Sequence, residues 1–135
     1  MADLHRQVVR TENAPQAIGA YSQAVVRNEV VYTSGQIGLD PRTGDIVPGG
    51  VQEQTRQVME NLRAVLEAAG SGPELVLKTT CFLADMADFG AFNEVYSAYF
   101  TQDPPARSTV AVAGLPRGAR VEVEAVALQR ASDNS

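Results

Sequence analysis

The chain has 135 residues, a formal net charge of −5 and 44% hydrophobic residues, which suits one ordinary domain with a substantial core. Its eleven basic residues are scattered along an acidic chain without tryptophan, which argues against a nucleic-acid-binding surface. No apolar run reaches the roughly 18 residues of a membrane span, and the amino terminus lacks the apolar stretch of a secretory signal.

Cysteine and histidine are each present once, as Cys81 and His5. A single cysteine forms no intrachain disulfide, which fits a reducing compartment, most simply the cytoplasm. A zinc site or a Ser–His or Cys–His nucleophilic pair usually needs more of these residues, so the composition argues against both.

The first half of the chain predicts three strands and a helix. Segments rich in β-branched residues at 7–10, 23–27 and 30–34 predict the strands, with a tight turn at residues 28–29. Apolar residues then recur at helical spacing over residues 51–69. Gly70 follows as a stop signal for this helix.

The second half alternates strands with one more helix. Residues 75–83 predict a strand, and an aromatic stripe over residues 89–100 predicts a helix that Asp88 caps. Two further strands are predicted at 108–113 and 121–128.

The order β-β-β-α-β-α-β-β predicts an α/β (α+β) domain with a six-stranded sheet. Two helices cannot cover both faces of such a sheet, so we place both on one face. The other face still carries apolar side chains, which predicts self-association. We expect residues 1–135 to form a single domain, with a flexible tail at residues 131–135.

The last strand carries two carboxylates on one face. Alternation places Glu122 and Glu124 on the same face as Val126 and Leu128. A carboxylate on a half-buried sheet needs a cation or a hydrogen-bond donor, or its pKa rises. The alternative is an edge strand with two solvated glutamates.

Arg107 follows a rigid Pro-Pro-Ala segment at residues 104–106. An arginine held there can present a bidentate fork to a carboxylate, although an ordinary surface ion pair is the simpler alternative. If the last two strands formed a hairpin, Arg107 and Glu122 would be roughly 13 to 17 Å out of register. Either these strands are not hairpin partners, or a shared site is completed across a subunit interface.

Two Gly-containing turns offer weaker signals. Tyr21 follows a flexible turn at residues 19–20, and Gly35 follows Ser34 at the end of a strand. A glycine there lets the backbone approach a ligand closely.

Several segments together resemble the RidA/YjgF/YER057c/UK114 family. The similarity covers about residues 6–129 and rests on residues 14–24, 31–38, 61–62, 66–70, 78–80, 88–89, 92–96, 105–108, 115–116 and 121–127. It implies a chorismate-mutase-like fold and a homotrimer with clefts between its subunits. It also implies a hydrolase that acts on C–N bonds without a metal or cofactor. Its substrates would be 2-iminobutanoate and 2-iminopropanoate, with their enamine tautomers, which are reactive products of pyridoxal-phosphate dehydratases. Its products would be 2-keto acids and ammonia.

The resemblance also assigns roles to individual residues. Arg107 matches the arginine that binds the substrate carboxylate, and Glu122 matches the acid that orients or activates water. Four further residues match residues that line the family's cleft, namely Tyr21, Ser34, Gly35 and Asn93. Phe89 matches an aromatic wall of that cleft. We expect Arg107 to help keep Glu122 ionised, and Glu124 to form a structural ion pair or hydrogen bond.

Two positions depart from the family pattern. Thr109 stands where some bacterial members have a cysteine, and Pro104 replaces a common aromatic residue at the cleft mouth. The alternatives are a non-catalytic ligand-binding, regulatory or chaperone-like trimer, a deaminase for a different enamine, and a ribonuclease. The acidic balance of the chain argues against a ribonuclease.

Overall fold

The structure, a computed structural model, describes residues 5–131, so all but the first residue of the predicted tail lies outside the described part. One mixed sheet and two α-helices make up the fold. The elements are β1 (Gln7–Val9), β2 (Ala24–Arg27), β3 (Val30–Thr33), β4 (Gln36–Ile37), α1 (Val51–Ala68), β5 (Val76–Leu83), α2 (Phe89–Ser97), β6 (Ala106–Ala111) and β7 (Val121–Leu128). No helix within residues 5–131 is both long and apolar enough to cross a membrane.

The sheet has seven strands, one more than the sequence predicted. Its main order is β1-β2-β3-β7-β5-β6, and the additional strand, β4, pairs with β7. β5 and β6 are parallel, whereas the other pairs are antiparallel. Two residues are too few to show the alternation that marks a strand in sequence, so β4 escaped prediction. The last two strands are not hairpin partners, because β5 lies between them.

Both helices pack on one face of the sheet, as predicted. The stripe of α1 that includes Leu62 and Val65 joins alternating β7 residues such as Val121 and Val123 in one buried cluster. Phe92 of α2 belongs to the same cluster. Alternation along β7 therefore decides which side chains face the helices and which face away.

The opposite face, here called the open face, carries apolar side chains that no described residue covers. Val8, Tyr32, Val110 and Leu128 are between 39% and 48% exposed, on strands β1, β3, β6 and β7. Apolar side chains left exposed on several strands of one sheet face are typical of a surface for self-association.

Element boundaries differ from the sequence predictions at several ends. α2 stops at Ser97 rather than residue 100, and β6 covers Ala106–Ala111 rather than 108–113. Asp88 does not cap α2 through its side chain but pairs with Arg120 at 3.1 Å. Asp85 caps the 3₁₀ turn before α2 by accepting a hydrogen bond from the amide of Ala87.

The tight turn between β2 and β3 holds two non-glycine residues in the left-handed region. Asn28 has φ 51° and Glu29 has φ 67°, the pattern of a type I′ turn. Asparagine tolerates this conformation, whereas glutamate is strained by about 1 kcal/mol or more.

We expect Glu29→Gly to stabilise the fold by about 0.5 kcal/mol, because relief of this strain exceeds the added entropy of the unfolded chain. Thermal or urea unfolding would show the gain. Asn28→Gly, the matched control, should change stability less. A lower melting point for Glu29→Gly would contradict this account of the turn.

Candidate active site

A cavity of about 510 Å³ opens beside the end of β7 and contains four of the predicted site residues. Its wall is built from residues of three chain segments, at 15–23, 34–39 and 116–117, and from Glu122 of β7. The lining includes Pro15, Gln16, Ile18, Tyr21, Gln23, Ser34, Gly35, Gln36, Ile37, Leu39, Pro116, Arg117 and Glu122. One carboxylate, several hydroxyl and amide groups, and an apolar wall are a suitable setting for a small polar ligand with an apolar side chain.

Gln23 fixes the segment that forms one wall of this cavity. It is only 4% exposed, and its Nε2 donates to the carbonyl oxygens of Thr11 and Pro15 at 3.0 and 2.8 Å. Its Oε1 accepts the amide hydrogen of Thr11, and its carbonyl oxygen accepts from the hydroxyl of Ser34 at 3.1 Å. One buried amide therefore ties the 11–15 segment to the strand end that carries Ser34.

Tyr21 stands at the rim of the cavity with 54% of its surface exposed. Its hydroxyl accepts a hydrogen bond from the amide of Ile18 at 3.3 Å. This contact closes a short loop and holds the phenol beside the cavity, where its hydroxyl hydrogen remains available to a ligand.

Gly35 leaves the space that the Glu122 carboxyl group occupies. A Cβ at Gly35 would lie 2.6 Å from Cδ of Glu122, so any side chain there would displace the carboxyl group. Burial raises the pKa of Glu122, and the negative charge of Glu124 raises it further. Glu122 is therefore a carboxylate that accepts a proton more readily than an ordinary surface glutamate.

Three other predicted residues meet at a second location, here called the arginine cluster: Phe89, Asn93 and Arg107. Nη1 of Arg107 donates to Oδ1 of Asn93 at 2.7 Å, and its Cζ lies 5.3 Å from the ring centroid of Phe89. Tyr96 supports the same guanidinium from 4.8 Å. Arg107 is exposed and forms no ion pair with any carboxylate among residues 5–131, so most of its five N–H donors can take a ligand carboxylate.

The two groups of predicted residues do not meet within one protomer. Arg107 pairs in register with Thr79, whose buried side chain faces the helices, whereas Glu122 pairs with Phe82 on the open face. β5 separates their strands, and Phe82 is also the register partner of Val110, three residues beyond Arg107. Standard strand spacings then put their Cα atoms about 14 Å apart, on opposite faces.

Two expectations from the sequence do not hold within one protomer. Within the protomer Arg107 is too far from Glu122 to keep it ionised, and the pKa of Glu122 is raised instead. Glu124 forms no ion pair or hydrogen bond through its side chain with any residue in the described range. It lies half-buried beside Glu122, and its charge acts on that carboxyl group.

Sequence reasoning missed most of the residues that shape the cavity. Gln23, Gln36 and Ile37 carry no chemical signal on their own. They fall inside the segments at 14–24 and 31–38 that carry the family resemblance, so the motif boundaries were the available signal. Leu39 and Arg117 lie outside every such segment, and the cavity alone identifies them.

No cluster of three or more histidine, cysteine, aspartate or glutamate side chains that could hold a metal ion occurs within residues 5–131. The cavity offers the Glu122 carboxylate beside hydroxyl groups, with Arg117 also in its lining, and the arginine cluster offers a guanidinium on an aromatic support.

Known proteins match nearly the whole chain. The family model described as Endoribonuclease L-PSP matches residues 11–129. A 2-iminobutanoate/2-iminopropanoate deaminase from Mus musculus is 53% identical over 129 residues, covering 96% of each chain. The crystal structure of E. coli TdcF with bound serine superimposes with a TM-score of 0.87 at 42% identity, covering 92% of this chain and 99% of that one. RidA from the Antarctic bacterium Psychrobacter sp. PAMC 21119 gives a TM-score of 0.87 at 43% identity, covering 90% and 98%.

The matched relatives share about half of their residues with this chain over 96% of its length. On this ground, the chain belongs to the Endoribonuclease L-PSP family, the family of the RidA and UK114 proteins.

Proposed function

We propose that this protein hydrolyses small 2-imino acids, such as 2-iminobutanoate and 2-iminopropanoate, to 2-keto acids and ammonia. The observation that carries the proposal is an arginine fork without a carboxylate partner in the described chain, together with a half-buried carboxylate in a small cavity. Curated relatives that are about half identical over nearly the full chain bear the name of this deaminase.

We further propose that the active cleft forms between protomers of a homotrimer with the chorismate-mutase-like arrangement. Arg107 lies on the helix side of an edge strand, and Glu122 lies on the open face, so one protomer cannot bring them to the same ligand. The exposed apolar side chains of the open face, which include Val8, Tyr32, Val110 and Leu128, supply the surface for association. In such a cleft Arg107 of one protomer would face Glu122 of its neighbour.

The proposed mechanism assigns each step to a side chain. Arg107 binds the substrate carboxylate through two charge-assisted hydrogen bonds and fixes C2 in the cleft. Glu122 orients a water molecule and takes its proton as the oxygen attacks C2. The imine reacts in its protonated form, so this addition gives a neutral carbinolamine. Glu122 then passes its proton to the carbinolamine nitrogen, and the C–N bond breaks as ammonia leaves. The hydroxyl group gives its proton to Glu122 as the ketone forms, and Glu122 finally returns that proton to ammonia or solvent. The hydroxyl groups of Ser34 and Tyr21 line the cavity and are available to the developing polar groups.

The direct test generates the imine in place. Threonine dehydratase and threonine produce 2-iminobutanoate, and we expect added protein to accelerate ammonia release without increasing the rate of threonine consumption. Heat-inactivated protein is the control. Equal ammonia release with active and inactivated protein would exclude the proposed activity.

The trimer gives a second test, based on mixed subunits. Arg107→Ala and Glu122→Gln each remove one side of every cleft. In a trimer that contains both variants, one of the three clefts still combines an intact Arg107 with an intact Glu122. Random assembly of equal amounts makes about three quarters of the trimers mixed, so co-expression should restore about a quarter of wild-type activity.

No recovery in mixed trimers would show that both residues act from the same subunit. Light scattering on the same samples should report the mass of three chains of 14.4 kDa each, and a single-chain mass at micromolar concentration would exclude the trimer.

The family description also names an endoribonuclease activity. The cavity offers one carboxylate and no histidine, and the chain is acidic, which favours the deaminase over RNA cleavage. A purely ligand-binding or regulatory trimer would need Arg107 but not Glu122, so the Glu122→Gln variant separates these two candidates. The single cysteine is buried and reduced, which is compatible with the cytoplasmic location that we propose.

A further inference from the structure

We infer that Tyr96 and Thr79 form a platform that positions Arg107 for its carboxylate ligand. The inference rests on the proposed function, because it concerns the residue that would hold the substrate. Neither residue faces the cavity that contains Glu122. Both act through Arg107 and are therefore positioning residues rather than catalytic residues.

Thr79 ties the platform to the strand that carries Arg107. It is fully buried on β5 and is the register partner of Arg107 in the parallel β5–β6 pair. Its hydroxyl oxygen lies 2.7 Å from the hydroxyl oxygen of Tyr96, which comes from α2. This hydrogen bond joins the helix to β5, directly beside the backbone position of Arg107.

Tyr96 connects this buried bond to the guanidinium. Its ring is 4% exposed, and the Cζ of Arg107 lies 4.8 Å from the ring centroid. Burial raises the pKa of Tyr96, so the phenol stays neutral beside the Thr79 hydroxyl group. The hydrogen bond to Thr79 therefore fixes the orientation of the Tyr96 ring, and one face of that ring supports the guanidinium of Arg107.

Cys81 completes the buried side of the platform. Its Sγ lies 3.8 Å from Oγ1 of Thr79 and donates to it, so the Thr79 hydroxyl group bonds to both Cys81 and Tyr96. An arginine side chain presents its five N–H donors in one rigid plane, so it loses least entropy on binding when that plane is already fixed. The stacked and hydrogen-bonded arrangement fixes that plane before a ligand arrives.

The test removes single hydroxyl groups. In Tyr96→Phe and Thr79→Val, the platform keeps its shape but loses its hydrogen bond. We expect KM for 2-iminobutanoate to rise about five- to tenfold, with a much smaller change in kcat, because Arg107 contacts the carboxylate throughout the reaction. Thr79→Ser, which retains the hydroxyl, should restore a KM near that of the wild type.

Tyr99→Phe is the matched control. Tyr99 lies three residues beyond Tyr96 and donates its hydroxyl hydrogen to Glu60 at 2.7 Å, away from Arg107. This variant should leave KM unchanged. Because KM does not depend on the concentration of active enzyme, a lower yield of folded variant does not alter the comparison of KM values.

Two inhibitors separate positioning from a general structural role. The product 2-oxobutanoate has the carboxylate that Arg107 binds, whereas 2-oxobutanamide does not. The platform variants should weaken inhibition by 2-oxobutanoate and leave inhibition by the amide unchanged. If Tyr96→Phe and Thr79→Val behave like Tyr99→Phe while Arg107→Ala loses carboxylate binding, the positioning inference is overturned. If Arg107→Ala itself keeps normal carboxylate binding, Arg107 does not hold the substrate. The proposed mechanism then fails, and the positioning inference that rests on it fails as well.

Discussion

Arg107→Ala should lower kcat/KM for 2-imino acids by roughly 10²-fold or more while the fold persists. The guanidinium is exposed, donates a hydrogen bond to Asn93 and stacks on two aromatic rings. Its removal therefore leaves no buried charge behind. Steady-state kinetics, with circular dichroism as the measure of folding, would detect the loss.

Arg107→Lys should restore little of this activity. Lysine offers a point charge in place of the planar fork, and it stacks less well on Tyr96 and Phe89. Arg42→Ala is a suitable control, because Arg42 is 86% exposed and, among residues 5–131, forms an ion pair only with Asp40, two residues before it. Near-normal turnover by a correctly folded Arg107→Ala variant would remove the carboxylate-binding role from Arg107.

Most of the fold could be predicted from local patterns. The stripe from Val51 to Leu66 and the alternation from Val121 to Leu128 each span several repeats of their period, so one residue of irregularity does not obscure them. The two-residue strand β4 shows no period, and it forms because β7 offers a free edge position beside β3. The cap at Asp88 failed for another reason, since Arg120, far away in sequence, captures its carboxylate.

The site residues were also predictable, but their arrangement was not. The family motifs identify Tyr21, Ser34, Gly35 and Glu122, and all four line one cavity. Whether Arg107 shares that cavity depends on the register of three strands, and a shift of one residue would move its side chain to the other face. Sequence spacing does not fix that register.

The last strand shows the same limit for charge. Alternation correctly places Glu122 and Glu124 on one face, where each is half-buried. The sequence suggested that Arg107 would lower the pKa of Glu122. Within the protomer, burial and the negative charge of Glu124 instead raise the pKa of Glu122. In the proposed cleft, Arg107 of the neighbouring protomer and its bound substrate would partly offset each other's charge.

Glu122→Gln is expected to lower kcat by about 10²-fold or more, because the amide keeps the shape of the side chain but accepts no proton from water. Binding of 2-oxobutanoate should change little, since Arg107 holds the carboxylate. The same substitution should raise the melting temperature at neutral pH, because a carboxyl group with a raised pKa destabilises the fold once it ionises.

The pH dependence checks the physical cause. A raised pKa means that Glu122 stays protonated to a higher pH than a free glutamate, whose pKa is about 4.3. Activity of the wild type should therefore fall on the acid side at a pH above that ordinary value. Glu122 also contributes a loss of stability as the pH rises from the unfolded-state pKa through the raised folded-state pKa, and this loss should be absent in Glu122→Gln.

Glu124→Gln is the matched control for both effects. It removes the nearby negative charge, so the acid limb of the activity profile should move to lower pH while turnover at neutral pH persists. It should not lower the melting temperature, because the Glu124 side chain forms no hydrogen bond or ion pair within residues 5–131. If Glu124→Gln loses turnover and Glu122→Gln keeps it, the two roles are reversed. If both variants stay active, no carboxylate on this strand acts as the base, and the cleft works by binding and orientation alone.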